Sequence, residues 1–299
     1  MLSAPIAALS LAEKQSITHG LLRSGASIGE INCVRKHLSA IKGGRLALAA
    51  WPAPVWTLAI SDVPGDDPAV IASGPTMGDP STSLEAAAIL HRYQIPCSVD
   101  ILNGLHRGSW ETPKPGDPHL ARSHFRLIAS PKLMLAAAAS QAKALGINVL
   151  LLGDALEGEA REVGKLMAGI ARSCHLNGYP AKPPCLLLSG GETTVTVKGH
   201  GKGGRNTEFL LGLMLALDGM PMVHALAADT DGIDGSESNA GAIIAPDSLT
   251  RARGAGLDPL AILDNNDAWS IFAALGDLLV TGPTLTNVND FRAILVGVE

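Results

Sequence analysis

Short apolar runs alternate with helix-length amphipathic segments along much of this sequence, and this alternation limits the available folds more than any other feature. The helical patterns lie near 11–22, 28–41, 83–92, 132–145 and 157–176, and the apolar runs at 55–60, 126–129 and 147–152. Strands that helices bury on both faces have such nearly continuous apolar sequences. The alternation therefore predicts an α/β fold with a largely parallel sheet.

A segment rich in turn formers divides the chain. Residues 177–184, NGYPAKPP, place three prolines between two well-patterned regions, which is typical of a linker. We therefore expect one domain over residues 1–180 and a second over 185–299. In the second, 185–189 and 193–198 are predicted strands around a turn at Gly190 and Gly191, and 207–217 is a predicted helix.

Composition and charge exclude several classes of protein. Hydrophobic residues make up 46% of the 299 residues and the formal net charge is −5, with no basic stripe that could neutralise a phosphate backbone, so no nucleic-acid partner is expected. No apolar run approaches the roughly 20 residues of a membrane span, so no membrane association is expected. The four cysteines lack metal-ligand or disulfide spacing, which favours the reducing cytoplasm.

The densest polar and glycine-rich segment is 199–208, GHGKGGRNTE, between a predicted strand and a predicted helix. Glycines allow backbone N–H groups to turn toward an anion, and the start of the following helix adds the positive end of its dipole. Arg205 would then face the anion with its guanidinium fork. The alternative is a flexible loop with solvated charges, because the spacing matches neither the Walker A loop nor GxGxxG.

An acidic loop at 229–235, DTDGIDG, follows the apolar run 223–228, so its carboxylates are predicted at the carboxyl end of a strand. Ligands bind at that edge of open α/β sheets, and carboxylate oxygens there suit a Mg²⁺ shared with phosphates. An EF-hand is excluded because Asp234 stands at the sixth position, where that loop needs glycine, and Ala240 at the twelfth, where it needs an acid. A plain acidic turn remains the alternative.

Two further polar segments follow apolar runs. Residues 61–67 bring three carboxylates and a glycine turn to the end of the run 55–60, and they could form a site or cap the next helix. Residues 281–290 place hydroxyl and amide groups where they could bind a polyol or a phosphate, with a turn rich in Ser and Thr as the alternative. The sequence contains no GxSxG motif, so hydrolase chemistry has little support.

Taken together, six ordered segments closely resemble the glycerate 2-kinase family, whose carboxyl-terminal module is called MOFRL and which has often been labelled hydroxypyruvate reductase. These segments cover almost the whole chain and are 32–47, 61–76, 188–195, 201–209, 229–235 and 281–290. The resemblance implies a partial Rossmann-like α/β/α domain, then a smaller mixed-sheet α/β MOFRL domain, with an active site in the cleft between them.

The resemblance also implies roles for individual residues. Arg205 would be the cation at the transition state, and Asp231 the carboxylate nearest the chemistry, sharing a metal with Asp229. The residues implied to bind the substrate or the nucleotide are Lys42, Asp62, Ser73, Gly190, Gly191, Glu192, Gly203, Gly204, Asn206 and Asn287. These roles suit phosphoryl transfer, which depends mainly on positioning and on cations around the moving group.

The implied activity is phosphorylation of D-glycerate to 2-phosphoglycerate, with ATP and Mg²⁺ as cofactors. Family members begin with a further segment whose Gly-Ala-Gly-Lys-Ala motif carries a lysine thought to be catalytic, and this chain is expected to start after it. A homo-oligomer or a complementing polypeptide is therefore a possible partner, and an inactive remnant is one alternative function. The other is a hydroxypyruvate reductase, although the sequence has no GxGxxG with a downstream acid.

Overall fold

The computed structural model describes residues 3–298 and divides into two compact units. The first consists of the described part of Met1–Ala59 together with Gly65–Ile128, and the second of Ile60–Pro64 together with the described part of Ala129–Glu299. Among the described residues, no helix is both long enough and apolar enough to cross a bilayer.

The first unit is mainly helical. Its elements are helices α1 (Leu11–Arg23), α2 (Ile28–His37) and α3 (Arg45–Ala50), strand β1 (Val55–Ile60), a 3₁₀ turn (Ile71–Ser73), helices α4 (Ser83–Arg92) and α5 (Val99–His106), a second 3₁₀ turn (Pro118–Leu120) and strand β2 (Ser123–Ala129). Capping boxes start α1, α2 and α4, because Ser10, Ser27 and Thr82 each bond the Glu three residues later in both directions.

One local prediction in this unit needs correction, and one helix was missed. The helix predicted over 28–41 ends at His37, because the chain turns there and Arg45 donates from its guanidinium to the carbonyl of Lys36 (3.0 Å). Helix α5 was not predicted.

Strands β1 and β2 form a parallel pair. The N–H of Val55 donates to the carbonyl of Arg122 at one end, and the N–H of Ser61 donates to the carbonyl of Ala129 at the other.

The second unit contains helices on both faces of one large sheet. Its elements are α6 (Pro131–Ala144), β3 (Asn148–Gly153), β4 (Gly158–Glu159), α7 (Ala160–Asn177), β5 (Cys185–Gly191), β6 (Thr193–Thr194), α8 (Arg205–Leu217), β7 (Val223–Asp229), β8 (Gly241–Ile244), α9 (Ser248–Gly254), α10 (Pro259–Asp264), α11 (Ala268–Leu275), β9 (Leu278–Leu279) and β10 (Asp290–Val296). The six-stranded sheet has the order β3-β5-β10-β7-β8-β9.

The predicted α/β class and mixed sheet are confirmed, but the expectation of a largely parallel sheet is wrong. Within this sheet only β3 and β5 pair in parallel, whereas β10 lies antiparallel to both β5 and β7, and β8 lies antiparallel to β7 and β9. A continuous apolar run shows that a strand is buried on both faces but carries no information about the direction of its neighbours.

The core of the second unit lies on both faces of its sheet. On one face, α7 and α8 pack Met167 and Phe209 against Leu187 of β5 and Ile294 of β10. On the other face, α6 packs Leu135 against residues of β5 and β10 that alternate with the first set. The strands are thereby held between two layers of helices, and their ends are left free to carry polar side chains.

Three predictions around residue 185 also differ from the structure. The segment 177–184 lies inside the second compact unit, so the units do not divide where the linker was expected; the division of the chain into family domains at 180 and 185 stays a prediction. Strand β6 is limited to Thr193–Thr194 and pairs with β4. Gly190 and Gly191 belong to β5 rather than to a turn, and Gly191 has a φ of +110°, with no space for a Cβ beside Leu156.

Candidate functional site

A pocket of about 1200 Å³ opens in the second unit where β5 and β7 end and α8 begins. Strand β10 runs between those two strands, and its first residue, Asp290, pairs with their last residues, Gly191 and Asp229. This register brings distant parts of the sequence to one sheet edge. The predicted site residues that line the pocket are Glu192, Gly203, Gly204, Arg205, Asp229, Asp231 and Asn287.

Arg205, the first residue of α8, lies at the centre of a group of carboxylates. Its Nε donates to Asp290 Oδ1 (2.8 Å), its Nη1 to Glu192 Oε1 (2.6 Å) and its Nη2 to Asp229 Oδ2 (2.6 Å). Burial alone would lower the pKa of Arg205, but these three carboxylates raise it above its ordinary value. The guanidinium is therefore a permanent cation whose position is set by three separate strand ends or loops.

Negative charge exceeds positive charge at this edge of the pocket. Arg205 faces Glu192, Asp229 and Asp290, and Asp231 lies beside them in the pocket lining. Arg292 also pairs with Asp290, so four carboxylates stand against two guanidinium groups. Burial raises the pKa of Asp229 to about 6; the N–H of Asp231 and the charge of Arg205 oppose this rise, whereas the charges of Asp290 and Asp231 add to it. The pocket is thus arranged to favour a further cation or proton.

The raised pKa of Asp229 predicts a specific dependence of stability on pH. The folded protein holds the proton of the Asp229 carboxyl group more tightly than the unfolded chain does. Protonated Asp229 therefore adds to the free energy of unfolding below pH about 4, and this contribution is lost as pH rises through about 6. Urea unfolding at intervals across this window should show the free energy of unfolding of the wild type falling relative to that of Asp229→Asn. The exposed Asp264→Asn serves as the control and should follow the wild type; equal slopes for wild type and Asp229→Asn would contradict the prediction.

Asp290 is held by Asn206, which the sequence identified, and by Arg292 and Thr193, which it did not. Its Oδ1 accepts from Asn206 Nδ2 (2.8 Å), and its Oδ2 accepts from the guanidinium of Arg292 and from the N–H of Thr193 (3.4 Å). Arg292 is fully buried and lies over the ring of Phe209, 5.3 Å from its centroid. One signal was available: the polar Asp290 and Arg292 occupy alternate positions of an apolar strand, on its buried face.

The start of α8 does not offer the open anion site expected from the glycine-rich segment. Asp234 fills it: its carboxylate accepts from the N–H groups of Asn206 and Thr207 (both 2.9 Å) and from Thr207 Oγ1 (2.8 Å). Gly204 is required for this approach, because a Cβ there would lie 2.4 Å from Asp234. A buried side chain of the protein therefore satisfies the helix dipole that was assigned to a ligand.

The rest of the glycine-rich loop is also bound internally. The side chains of Asn265, Asn266 and Asp267 and the carbonyl of Asn265 accept N–H groups between 198 and 202 at 2.8 to 3.1 Å. The protein therefore fixes the backbone of this loop, although the side chain of Lys202 is 56% exposed, as the alternative of solvated charges expected. Over the described loop, the N–H groups of Gly203 and Arg205 have no protein acceptor, and both residues line the pocket.

The remaining predicted residues lie elsewhere. Asn206 is buried beneath the pocket, and Gly190 and Gly191 do not line it. Asp62 accepts at its carbonyl from Asn289 Nδ2 (2.9 Å) and has an exposed side chain. In the first unit, Lys42 and Ser73 are neighbours: Lys42 Nζ donates to the carbonyl of the residue before Ser73, at 2.7 Å.

The carboxylates of the pocket fit a metal ion only in part. Asp229 and Asp231 supply the hard oxygens that Mg²⁺ prefers, and Asp229 Oδ1 accepts the N–H of Asp231 (3.1 Å). Within residues 3–298, however, no group of three or more metal-ligating side chains is placed to hold an ion. This donor set fits a Mg²⁺ that is also coordinated by phosphates and water, and it does not fit a site built from protein ligands alone.

Comparisons with known proteins agree on one family. The domain of unknown function DUF4147 matches residues 1–105, and the MOFRL family matches residues 185–290. An Agrobacterium vitis protein provisionally named hydroxypyruvate reductase is 55% identical over 99% of this chain and 67% of its own length. The D-glycerate 2-kinase of Thermotoga maritima is 43% identical over 96% of this chain and 67% of that protein. The crystal structure of glycerate kinase from Thermotoga maritima has a TM-score of 0.91 over 98% of this chain and 69% of that one, at 43% identity.

The mixed sheet, its charged pocket and this structural match define an α/β protein of the glycerate kinase fold. The chain spans about two thirds of the length of the relatives that it matches. It belongs to the glycerate 2-kinase family, in which a DUF4147 domain and a MOFRL domain are combined.

Proposed function

We propose that this protein is a glycerate 2-kinase, which transfers the γ-phosphoryl group of ATP to the 2-hydroxyl of D-glycerate and yields 2-phosphoglycerate and ADP. The observation that carries the proposal is the guanidinium of Arg205, held at the pocket by three carboxylates from separate segments. A fixed cation is what the spreading negative charge of a transferring phosphoryl group requires. Family membership supplies the substrate.

The side chains of the pocket suggest a division of labour. Arg205 would stabilise the transferring group, assisted by the free N–H groups of Gly203 and Arg205 itself. Asp231 has one carboxylate oxygen bonded to the N–H of Ile233 (2.8 Å), and the other would face the 2-hydroxyl and accept its proton. Glu192 and Asn287 would border the nucleotide, and Asn206 would act as a positioning residue through Asp290.

Magnesium would enter with the nucleotide. Asp229 and Asp231 would hold it, and when bound the ion would neutralise charge on the phosphates. We assign Gly204 to the approach of Asp234 rather than to direct contact with a ligand. Lys42, Asp62, Ser73, Gly190 and Gly191 remain proposed as family site residues, and the cytoplasm as the compartment.

A product assay tests the proposed reaction. The purified chain is supplied with ATP, Mg²⁺ and D-glycerate, ADP is measured by a coupled assay, and the phosphorylated product is identified by ³¹P NMR. ADP release that depends on D-glycerate, with 2-phosphoglycerate as product, is expected. A parallel reaction with hydroxypyruvate and NADH tests for hydroxypyruvate reductase activity, after which one relative is named. NADH oxidation without formation of 2-phosphoglycerate would overturn the kinase assignment.

A further inference from the structure

The pocket of the second unit has an apolar wall that the proposed reaction leaves without a role. This wall is formed by Val195 and Val197, which line the pocket on the segment that leads away from Glu192. Val195 packs partly into the core, whereas Val197 is 74% exposed. An exposed apolar side chain on the wall of a charged pocket suits a ligand that has an apolar part as well as a charged one.

A buried asparagine holds the apolar wall in place. Asn266 is 7% exposed; its Oδ1 accepts the N–H of Lys198 (2.8 Å), and its Nδ2 donates to the carbonyl of Thr196 (3.4 Å). The same Nδ2 donates to Glu208 Oε2 (3.0 Å), and the backbone of Asn266 has a φ of +53°. Thr196 and Lys198 flank Val197, so its position is set by the protein before any ligand binds.

Nearly all backbone N–H groups along this wall are already used by the protein. That of Thr196 donates to Glu159 Oε1 (3.0 Å), and those of residues 198–202 donate to acceptors within 265–267 at 2.8 to 3.1 Å. Among the described residues, the N–H of Val197 has no acceptor. The acceptor atoms on the edge of a purine base need such donors to be distinguished. The wall therefore offers apolar contact and little means of reading a base by hydrogen bonds.

The apolar wall and the guanidinium of Arg205 lie along one pocket at a separation that suits a nucleotide. Glu192 is bonded to Arg205, and Val197 is five residues further along the chain, a span of at most about 18 Å. The pocket has a volume of about 1200 Å³, which is much more than glycerate or a metal ion would fill. A nucleotide whose phosphates lie at Arg205 could thus reach the wall with its base.

We infer that Val195 and Val197 bind the purine base of the nucleotide, and that this base is recognised by apolar contact and shape. The inference rests on the proposed function, because that function places the phosphates at Arg205. It has a consequence for specificity: a wall with almost no free N–H donors cannot favour adenine strongly over guanine. Adenine and guanine nucleotides should therefore bind with similar affinity.

Isothermal titration calorimetry of the whole chain with Mg²⁺ tests this inference. ADP, GDP and inorganic pyrophosphate, which has no base, are titrated separately and without D-glycerate. The Kd values of ADP and GDP should agree within about fivefold, and pyrophosphate should bind at least about tenfold more weakly than ADP. Val197→Ser should weaken the binding of ADP and GDP by about five- to tenfold, because it removes apolar surface from the wall. Its affinity for pyrophosphate should equal that of the wild type.

The matched control is Val99→Ser in α5, which makes the same substitution at a side chain that is 70% exposed in the first unit. It should bind ADP like the wild type. Three results would each overturn the inference: an unchanged ADP affinity in Val197→Ser, pyrophosphate binding as tight as that of ADP, or a preference of more than about fivefold for one purine.

The same titrations separate this inference from the proposed function, because they do not involve D-glycerate. ADP binding that depends on Val197, in a chain that does not phosphorylate D-glycerate, would remove the proposed function and leave the inference standing. Phosphorylation of D-glycerate by a chain whose Val197→Ser variant binds ADP like the wild type would do the reverse. A wild type that binds neither nucleotide would overturn both.

Discussion

Replacement of Arg205 by alanine is expected to lower kcat for D-glycerate phosphorylation by about a thousandfold, since a cation that stabilises a transferring phosphoryl group contributes on that scale. The variant would also leave Glu192 and Asp229 without their counter-charge, whereas Asp290 would keep Arg292. Their repulsion would disfavour an incoming triphosphate, so KM for ATP should rise as well. Steady-state kinetics with ATP and D-glycerate varied separately measure both effects.

Two further variants make this result interpretable. Arg205→Lys keeps the charge but loses the planar fork that bonds three carboxylates, so its kcat should fall between those of the wild type and Arg205→Ala. Arg251→Ala removes another arginine of the same unit that pairs with two carboxylates, Asp247 and Asp277, and should leave kcat unchanged. A kcat for Arg205→Ala near the wild-type value would refute the assignment of Arg205 as the transition-state cation.

Replacement of Arg292 by methionine is expected to lower the free energy of unfolding by about 3–5 kcal/mol, the range for removing one partner of a buried ion pair. Arg292 and Asp290 are both buried, and Arg292 Nη2 also donates to Thr193 Oγ1 (3.1 Å). The remaining charge of Asp290 would then be balanced by Arg205 alone. Urea denaturation monitored by circular dichroism measures the change.

A double-mutant cycle identifies the cause of that loss. Adding Asp290→Asn to Arg292→Met should recover part of the stability, because it removes the uncompensated charge. The exposed Arg172→Met in α7 controls for loss of a positive charge and should change the free energy of unfolding by less than about 0.5 kcal/mol. If Arg292→Met is as mild as Arg172→Met, the buried pair does not hold Asp290 in place.

Several local elements, though not α5, followed from the sequence because their causes are local. The capping boxes at Ser10, Ser27 and Thr82 depend on a residue only three positions away, and the helices begin where those residues indicate. The acidic segment 229–235 was placed correctly at a strand end, since an apolar run followed by polar residues is a signal within one segment. Glu192, Arg205, Asp229 and Asp231 do meet at one pocket.

Only the tertiary structure decided what these residues bind. Arg205 and Asp290 are 85 positions apart in the chain. Asp234 accepts the N–H of Asn206 at the start of α8, 28 positions before it, so no local pattern could pair these residues. Antiparallel β10 brings Asp290 between the ends of β5 and β7, and strand direction leaves no mark in a run of apolar residues. The sequence by itself determined which segments are helical, buried or polar, because those properties arise from neighbours along the chain. The ion pairs of the pocket arise from neighbours across the sheet, and the fold alone brings them together.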